Sequence, residues 1–165
     1  AFHATATRTS KAFILAGRKV SNIFLTGDAL RAKFRRAYNA SGYSQLNAAG
    51  LIAAEAAYRG GEVWYKAVKA YLVENIAYMR EFINARLPQL RMIEPEGTYL
   101  VWVDFRKLGL DNGALEDLIL HKAGLWLDSG AIFGPVGEGF QRFNIACPRA
   151  TLQRALEKLE AAIIQ

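Results

Sequence analysis

Thr9-Ser10-Lys11-Ala12-Phe13-Ile14-Leu15-Ala16-Gly17 is the stretch on which the reading of this chain turns. Ahead of it, Phe2-His3-Ala4-Thr5-Ala6-Thr7 alternates and is rich in residues that suit a strand. Lys11 is therefore expected directly after a strand, in a turn of small residues, where an amine can face a pocket instead of bulk water. Taken bare, the signal is weak, because most lysines are solvated surface groups. A strand with no turn or cap before it also needs a sheet beside it. The next candidate is Val20-Ser21-Asn22-Ile23-Phe24-Leu25, expected to be buried on both faces.

Working outward, Gly27-Asp28 supplies a turn and an N-cap for a basic helix that runs to about Tyr38. Residues 39–44 form a loop around Gly42, and 46–58 an alanine-rich helix stopped at Arg59-Gly60-Gly61. The longest element is a helix over 62–86, in which Val68, Leu72, Ile76, Met79 and Ile83 recur at three- and four-residue spacing. Pro88 closes it. Strands follow at 90–93 and 99–105, joined by the turn-forming Glu94-Pro95-Glu96-Gly97. A short helix over 113–123, strands at 125–127 and 140–145 around a glycine-rich loop, and a final amphipathic helix over 151–164 complete the chain. Two architectures thus share one chain. Residues 1–61 read as the end of an α/β layer, and 62–165 as a linker helix with an α+β unit.

Composition narrows the class. At 52% hydrophobic and 22% charged residues the chain is a globular protein and not a disordered one. Its apolar runs all fall short of the roughly 18 residues a membrane span needs, and the first residues do not read as a signal peptide. A single cysteine, Cys147, excludes a disulfide scaffold and fits a reducing cytoplasm. The net charge of +6 comes from scattered residues, so it leaves a basic binding module for nucleic acid or an anionic partner as an alternative reading without deciding for it. His3 and His121 lack ligand spacing, so no metal is expected. Phe133-Gly134-Pro135-Val136-Gly137-Glu138-Gly139 lacks the strand–loop–helix order and the following Lys-Ser/Thr of a phosphate loop, and reads as a plain flexible loop.

Ser10-Lys11-Ala12-Phe13-Ile14-Leu15-Ala16-Gly17 resembles the Ser-Lys-x-Phe-Asn-x-Ala-Gly motif around the Schiff-base lysine of pyridoxal-phosphate (PLP) aminotransferases and C–S lyases. Three further segments fall in the order of that family. Pro95-Glu96-Gly97-Thr98-Tyr99-Leu100-Val101-Trp102-Val103-Asp104 resembles its Pro-x-Gly-x-(aromatic)-x-x-Trp-x-Asp strand. The segment 124–134 is similar to the strand and loop before its substrate site. Phe140-Gln141-Arg142-Phe143-Asn144-Ile145-Ala146-Cys147-Pro148-Arg149 resembles its arginine strand, with the Asn-x-x-Cys-Pro-Arg ending of cystathionine β-lyase-like C–S lyases. The resemblance covers essentially the whole chain.

It implies an α/β architecture, the C-terminal part of fold-type I of the PLP-dependent transferases, with the end of the large domain followed by a small α+β domain. Lys11 would hold PLP and then act as the base at the substrate's α-carbon. Lys19, with Arg18 beside it, would face the phosphate, and Ser10 would add a hydroxyl donor. Arg142 matches the arginine that grips the substrate carboxylate, since a planar guanidinium binds a carboxylate bidentately. Arg149 is the rival for that role, or a supporting residue at the start of the last helix. Two departures stand out: Ile14 replaces the motif's asparagine, and Arg8 stands where aminotransferases often place a phosphate-binding serine. The family's pyridine-nitrogen aspartate, ring-stacking aromatic and phosphate-binding helix lie upstream of the lysine. The reaction implied is β-elimination from a sulfur amino acid, with transamination as the close rival. The 165 residues alone are expected to be inactive. Implied partners are an amino-acid substrate, the N-terminal half of the same enzyme and a second copy meeting at 39–47, with neither nucleic acid nor membrane.

Overall fold

The structure, a computed structural model, describes residues 3–43 and 46–164. Phe2 of the first expected strand, and positions 44 and 45 of the loop expected to meet a second copy, lie outside the described residues. Two compact units divide between Ala67 and Val68.

In the first unit, β1 (Ala4–Thr7) pairs antiparallel with β2 (Asn22–Leu25), Ala4 opposite Leu25 and Thr7 opposite Asn22. Between them lie one helical turn, α1 (Thr9–Ala12), and a 3-10 turn, Ala16–Arg18. Lys11 therefore follows the first strand closely, as expected, and its turn is a single turn of helix. The burial expected for the second strand is not met: Ile23 and Phe24, on a two-stranded ribbon, are both exposed. Helix α2 (Asp28–Ala40) is capped by Gly27 at φ 84° and not by Asp28, which lies in the first turn and pairs with Arg31. Helix α3 (Ala48–Gly60) begins at Asn47, whose side chain accepts from the Ala49 and Gly50 amides. Among the described residues of this unit, Val20 and Ala54 are the buried apolar side chains, while Leu51 and Ile52 face out.

Helix α4 (Glu62–Arg86) forms over the span its periodicity marks. In the second unit a four-stranded antiparallel sheet of β3 (Arg91–Met92), β4 (Leu100–Asp104), β5 (Asp128–Ser129) and β6 (Phe140–Asn144) runs in the order β3-β4-β6-β5. Val101 pairs with Phe143 and Val103 with Gln141, and all four are buried. This face packs on Met79, Phe82, Ile83 and Leu87 of α4 and its end, on Leu115 of α5 (Asn112–Asp117), and on Leu152, Leu156 and Leu159 of α6 (Arg149–Ile164). The alternate residues Trp102 and Arg142, also opposite each other, turn to the other face.

Several expectations shift. The helix expected over 113–123 is α5 followed by a π-helical turn, Leu118–Lys122. Residues 125–127 form no strand: Gly124 at φ 61° turns the chain, and the Leu125 amide bonds back to the Ile119 carbonyl at 2.9 Å. The glycine-rich segment is not a plain loop but two 3-10 turns, Gly130–Phe133 and Pro135–Gly137. Gly130 and Gly137 touch backbone to backbone: a Cβ on Gly130 would come within 2.0 Å of the Gly137 carbonyl oxygen. Only glycine permits that approach.

The buried polar residue of α4 ties the unit together. Asn75 is fully buried, donates to the carbonyls of Ile145 and Cys147 at 2.9 and 3.1 Å, and accepts from Arg149 Nε at 2.7 Å. An Asn75→Leu substitution strands two carbonyls and a guanidinium N–H, so it should cost about 2–4 kcal/mol, read as a lower urea midpoint. An unchanged midpoint would show that these bonds are dispensable. Ile14 carries the opposite expectation. It lies at φ 55° with its side chain 45% exposed, and a β-branched residue is disfavoured there by about 1–2 kcal/mol. Ile14→Asn should therefore raise the midpoint, since asparagine tolerates this conformation; a fall would show that apolar contact outweighs backbone strain.

Candidate active-site segments

The lysine turn is held in place from behind. Phe13 packs its ring against Tyr58, Trp64 and Tyr65, with centroids 5.7–6.2 Å apart. Gly61 makes room for it, since a Cβ there would lie 2.4 Å from the Phe13 ring. Val20 is seated the same way: a Cβ on Gly50 would meet its Cγ2 at 2.6 Å and the Arg18 carbonyl at 2.8 Å. The segment from Thr9 to Val20 is thus clamped at Phe13 and at Val20 to α3 and the start of α4.

On this clamped segment, Thr9 and Ser10 are buried and Lys11 is exposed. The Ser10 hydroxyl has no hydrogen-bond partner among the described groups. A buried hydroxyl left unsatisfied costs about 1–3 kcal/mol, and in native proteins such a group marks a site that something else completes. Turn α1 touches the 3-10 turn Ala16–Arg18, so Ser10 and Lys11 share one local unit with the exposed cations Arg18 and Lys19. Lys19 takes up the left-handed conformation, φ 51°. A buried hydroxyl donor, a lysine amine and two cations fit a phosphorylated carbonyl cofactor. Arg8, exposed at the cap of α1, makes no side-chain capping bond.

In the second unit Arg142 stands on the open face of β6. Strand register sets Trp102 on one side of it and Asp128 on the other. Arg142 donates from Nε and Nη2 to one oxygen, Asp128 Oδ2, at 3.2 and 2.5 Å. Its guanidinium lies 4.6 Å over the Phe133 ring, which meets Trp102 edge-on at 5.2 Å. Arg142, Trp102 and Leu100 line a shallow cavity of about 350 Å³, closed by the turn from Glu94 to Thr98. Glu94 is held by Arg80 at 2.5 and 3.1 Å, and the pairing holds the guanidinium further into its charged range. Sequence reasoning missed Asp128 and Phe133 as neighbours of the arginine. Period-two register across β5 and β6 would have revealed Asp128, had the strand not been expected at 125–127.

Arg149 is committed elsewhere. It opens α6, its amide donates to the Tyr71 hydroxyl at 2.6 Å, its Nε bonds Asn75, and its guanidinium lies 4.9 Å from the Tyr78 ring centroid. It is built into the anchor of α6 on α4 and does not line the cavity that Arg142 lines. Cys147 is half-buried, and burial pushes its thiol above the ordinary range, which disfavours the thiolate a nucleophile needs. At the far end of β4, Arg106 beside Asp104 holds that carboxyl at about 2, below its ordinary 3.8.

No protein-family model matches the chain. Cystathionine beta-lyase PatB of Bacillus subtilis (strain 168) is 36% identical over 159 residues, which are 96% of this chain and 41% of that protein. Cystalysin of Treponema denticola, whose crystal structure contains a pyridoxal 5'-phosphate cofactor, superposes with a TM-score of 0.93 at 34% identity, over 98% of this chain and 41% of that one. The PLP-bound C–S lyase of Staphylococcus hominis gives a TM-score of 0.85 at 30% identity, over 98% and 42%. The chain therefore spans about two fifths of the length of the relatives it matches. It belongs to the fold-type I, PLP-dependent aminotransferase class I/II superfamily, as the counterpart of the C-terminal part of relatives that include cystathionine beta-lyases and C–S lyases.

Proposed function

We propose that this chain is the C-terminal part of a PLP-dependent C–S β-lyase that acts on a sulfur amino acid such as cystathionine or cysteine. The observation that carries the reading is the buried, unsatisfied Ser10 hydroxyl next to Lys11, on the segment that matches the family's lysine motif. Relatives named as cystathionine beta-lyases or C–S lyases at 30% identity or more support the lyase branch over the aminotransferases that share the fold. When bound, pyridoxal 5'-phosphate supplies the electron sink for the charge left at the substrate's α-carbon.

The residues divide the remaining work. Ser10 donates its hydroxyl to the phosphate, and Arg18 and Lys19 offset the phosphate charge. Lys11 would hold the cofactor through Nζ until the substrate amine takes its place. Its Nζ then takes the proton from the α-carbon, the double role of such a lysine. Arg142 receives the substrate carboxylate, and Arg149 secures the helix that follows. With the α-proton removed, the bond from Cβ to sulfur breaks and a thiolate leaves; water completes the products as pyruvate and ammonia. The intact enzyme is a cytoplasmic homodimer in this reading, and the 165 residues alone are inactive. Among the described residues no helix is long and apolar enough to cross a membrane.

Borohydride reduction of the PLP-loaded enzyme that contains this chain, followed by mass mapping, should place the cofactor adduct on Lys11. Lys11→Ala should abolish the adduct, and Ser10→Ala should weaken PLP binding by about tenfold, the value of one hydrogen bond to a charged group. An adduct on another lysine sinks the assignment. Cysteine or cystathionine should yield equal amounts of pyruvate and ammonia; a keto acid without ammonia would make the enzyme an aminotransferase instead.

A further inference from the structure

Arg142 is held from the flank away from the cavity it lines. In the sheet order β3-β4-β6-β5, Trp102 of β4 stands opposite it on one side and Asp128 of β5 on the other. The cavity lies on the β4 side, between Arg142, Trp102, Leu100 and the turn 94–98. Asp128, on the β5 side, does not line it. Whatever Asp128 does to a group bound in that cavity, it does through Arg142.

The Asp128 contact is confined to one edge of the guanidinium. Nε and Nη2 both donate to Oδ2, at 3.2 and 2.5 Å, which uses the side edge. A guanidinium carries five N–H donors in a fixed plane, and those of its Nη1–Nη2 end form a separate fork suited to a second carboxylate. Holding the side edge also sets the direction in which that fork points. The Phe133 ring, 4.6 Å away, sets the plane. A donor fork ordered in advance has less freedom to lose when a ligand arrives, so it binds more tightly. For the fold itself the pair matters little. Its side chains are 23% and 46% exposed, and an ion pair in contact with water adds little stability.

We propose that Asp128 is a positioning residue for substrate binding: it holds the side edge of Arg142 so that the Nη1–Nη2 end meets the α-carboxylate of the substrate. The inference rests on the reading of Arg142 as the substrate-carboxylate group, and it names the residue that readies that arginine before substrate arrives. The opposite role, a resident carboxylate that substrate must displace, predicts the reverse effect when Asp128 is removed.

The test measures how much the α-carboxylate adds to binding. The PLP-loaded enzyme that contains this chain is titrated with 2-aminoisobutyrate, which has no α-proton to lose, and with isopropylamine, the same amine without its carboxylate. The absorbance of the bound cofactor gives both dissociation constants, and their ratio isolates the carboxylate contribution. Asp128→Ala should cut this ratio about tenfold, by weakening 2-aminoisobutyrate and leaving isopropylamine unchanged. Asp128→Asn, which keeps the shape and one acceptor, should cut it less. Thermal melting checks that each variant folds, and the asparagine variant decides alone should the alanine variant not fold. A general structural loss weakens both amines alike and overturns the positioning role. So does an unchanged or larger ratio in the Asp128 variants while Arg142→Lys lowers it. If Arg142→Lys leaves the ratio unchanged, the carboxylate role of Arg142 fails and the inference falls with it.

Discussion

Each residue along the β4–β6 ladder must take either the face covered by helices or the open one, and the second unit depends on that choice. Val101, Val103, Gln141 and Phe143 take the covered face; Trp102 and Arg142, between them, take the open one. A shift of register by one residue would drive the guanidinium into the apolar core and expose the valines, so core packing and the placement of Arg142 are one constraint. Asp128 completes the arrangement. Without a cross-strand carboxylate, a part-buried guanidinium over an aromatic ring would carry an unmatched charge. The short β5 strand owes its position to the contact of Gly130 with Gly137, which folds the following turns back toward β6 and brings Phe133 under the arginine.

The first unit is organised by other means. With Val20 and Ala54 its buried apolar side chains among the described residues, it has no core to set strand positions as the second unit does. What fixes the lysine segment is a local clamp: Phe13 in the aromatic corner by Gly61, and Val20 against Gly50. The motif's phenylalanine is therefore the anchor that sets where α1 lies, and Ser10 and Lys11 follow from it. Two non-glycine residues here, Ile14 and Lys19, adopt positive φ. Both flank the turn that carries the cations, where a tight reversal matters more than backbone comfort.

What was legible in the sequence follows from which forces were local. The period of α4 is a property of its own residues, so its limits read directly. The Val101–Trp102–Val103 alternation likewise marked a half-buried strand. Leu125–Trp126–Leu127 has the same texture but does not pair, because the positive φ of Gly124 and a backbone bond to Ile119 end the helix there first. The exposure of Ile23 and Phe24 was illegible for a different reason: apolar composition reports a wish for burial, not the presence of a neighbour to provide it. At the proposed site, Lys11, Ser10 and Arg142 were singled out through motif residues. Asp128 depends on register across two strands far apart in sequence, and Asn75 was hidden as one polar residue in an apolar stripe.

The fate of the two C-terminal arginines shows why motif and geometry had to be weighed together. Both lie in one short segment of the lyase-like ending, and both are guanidinium groups near an aromatic ring. Arg149 spends its donors on Tyr71 and Asn75, and Asn75 in turn holds the backbone just after β6. Its bonds to Tyr71 and Asn75 hold the start of α6 on α4, with Glu74 at 4.0 Å from Nη2, so exchange for a substrate would disturb that anchor. Arg142 is bound instead to a single carboxylate oxygen beside a cavity, a contact that another carboxylate can share or replace without disturbing the core. That contrast supports the proposal that Arg142, and not Arg149, receives the substrate carboxylate.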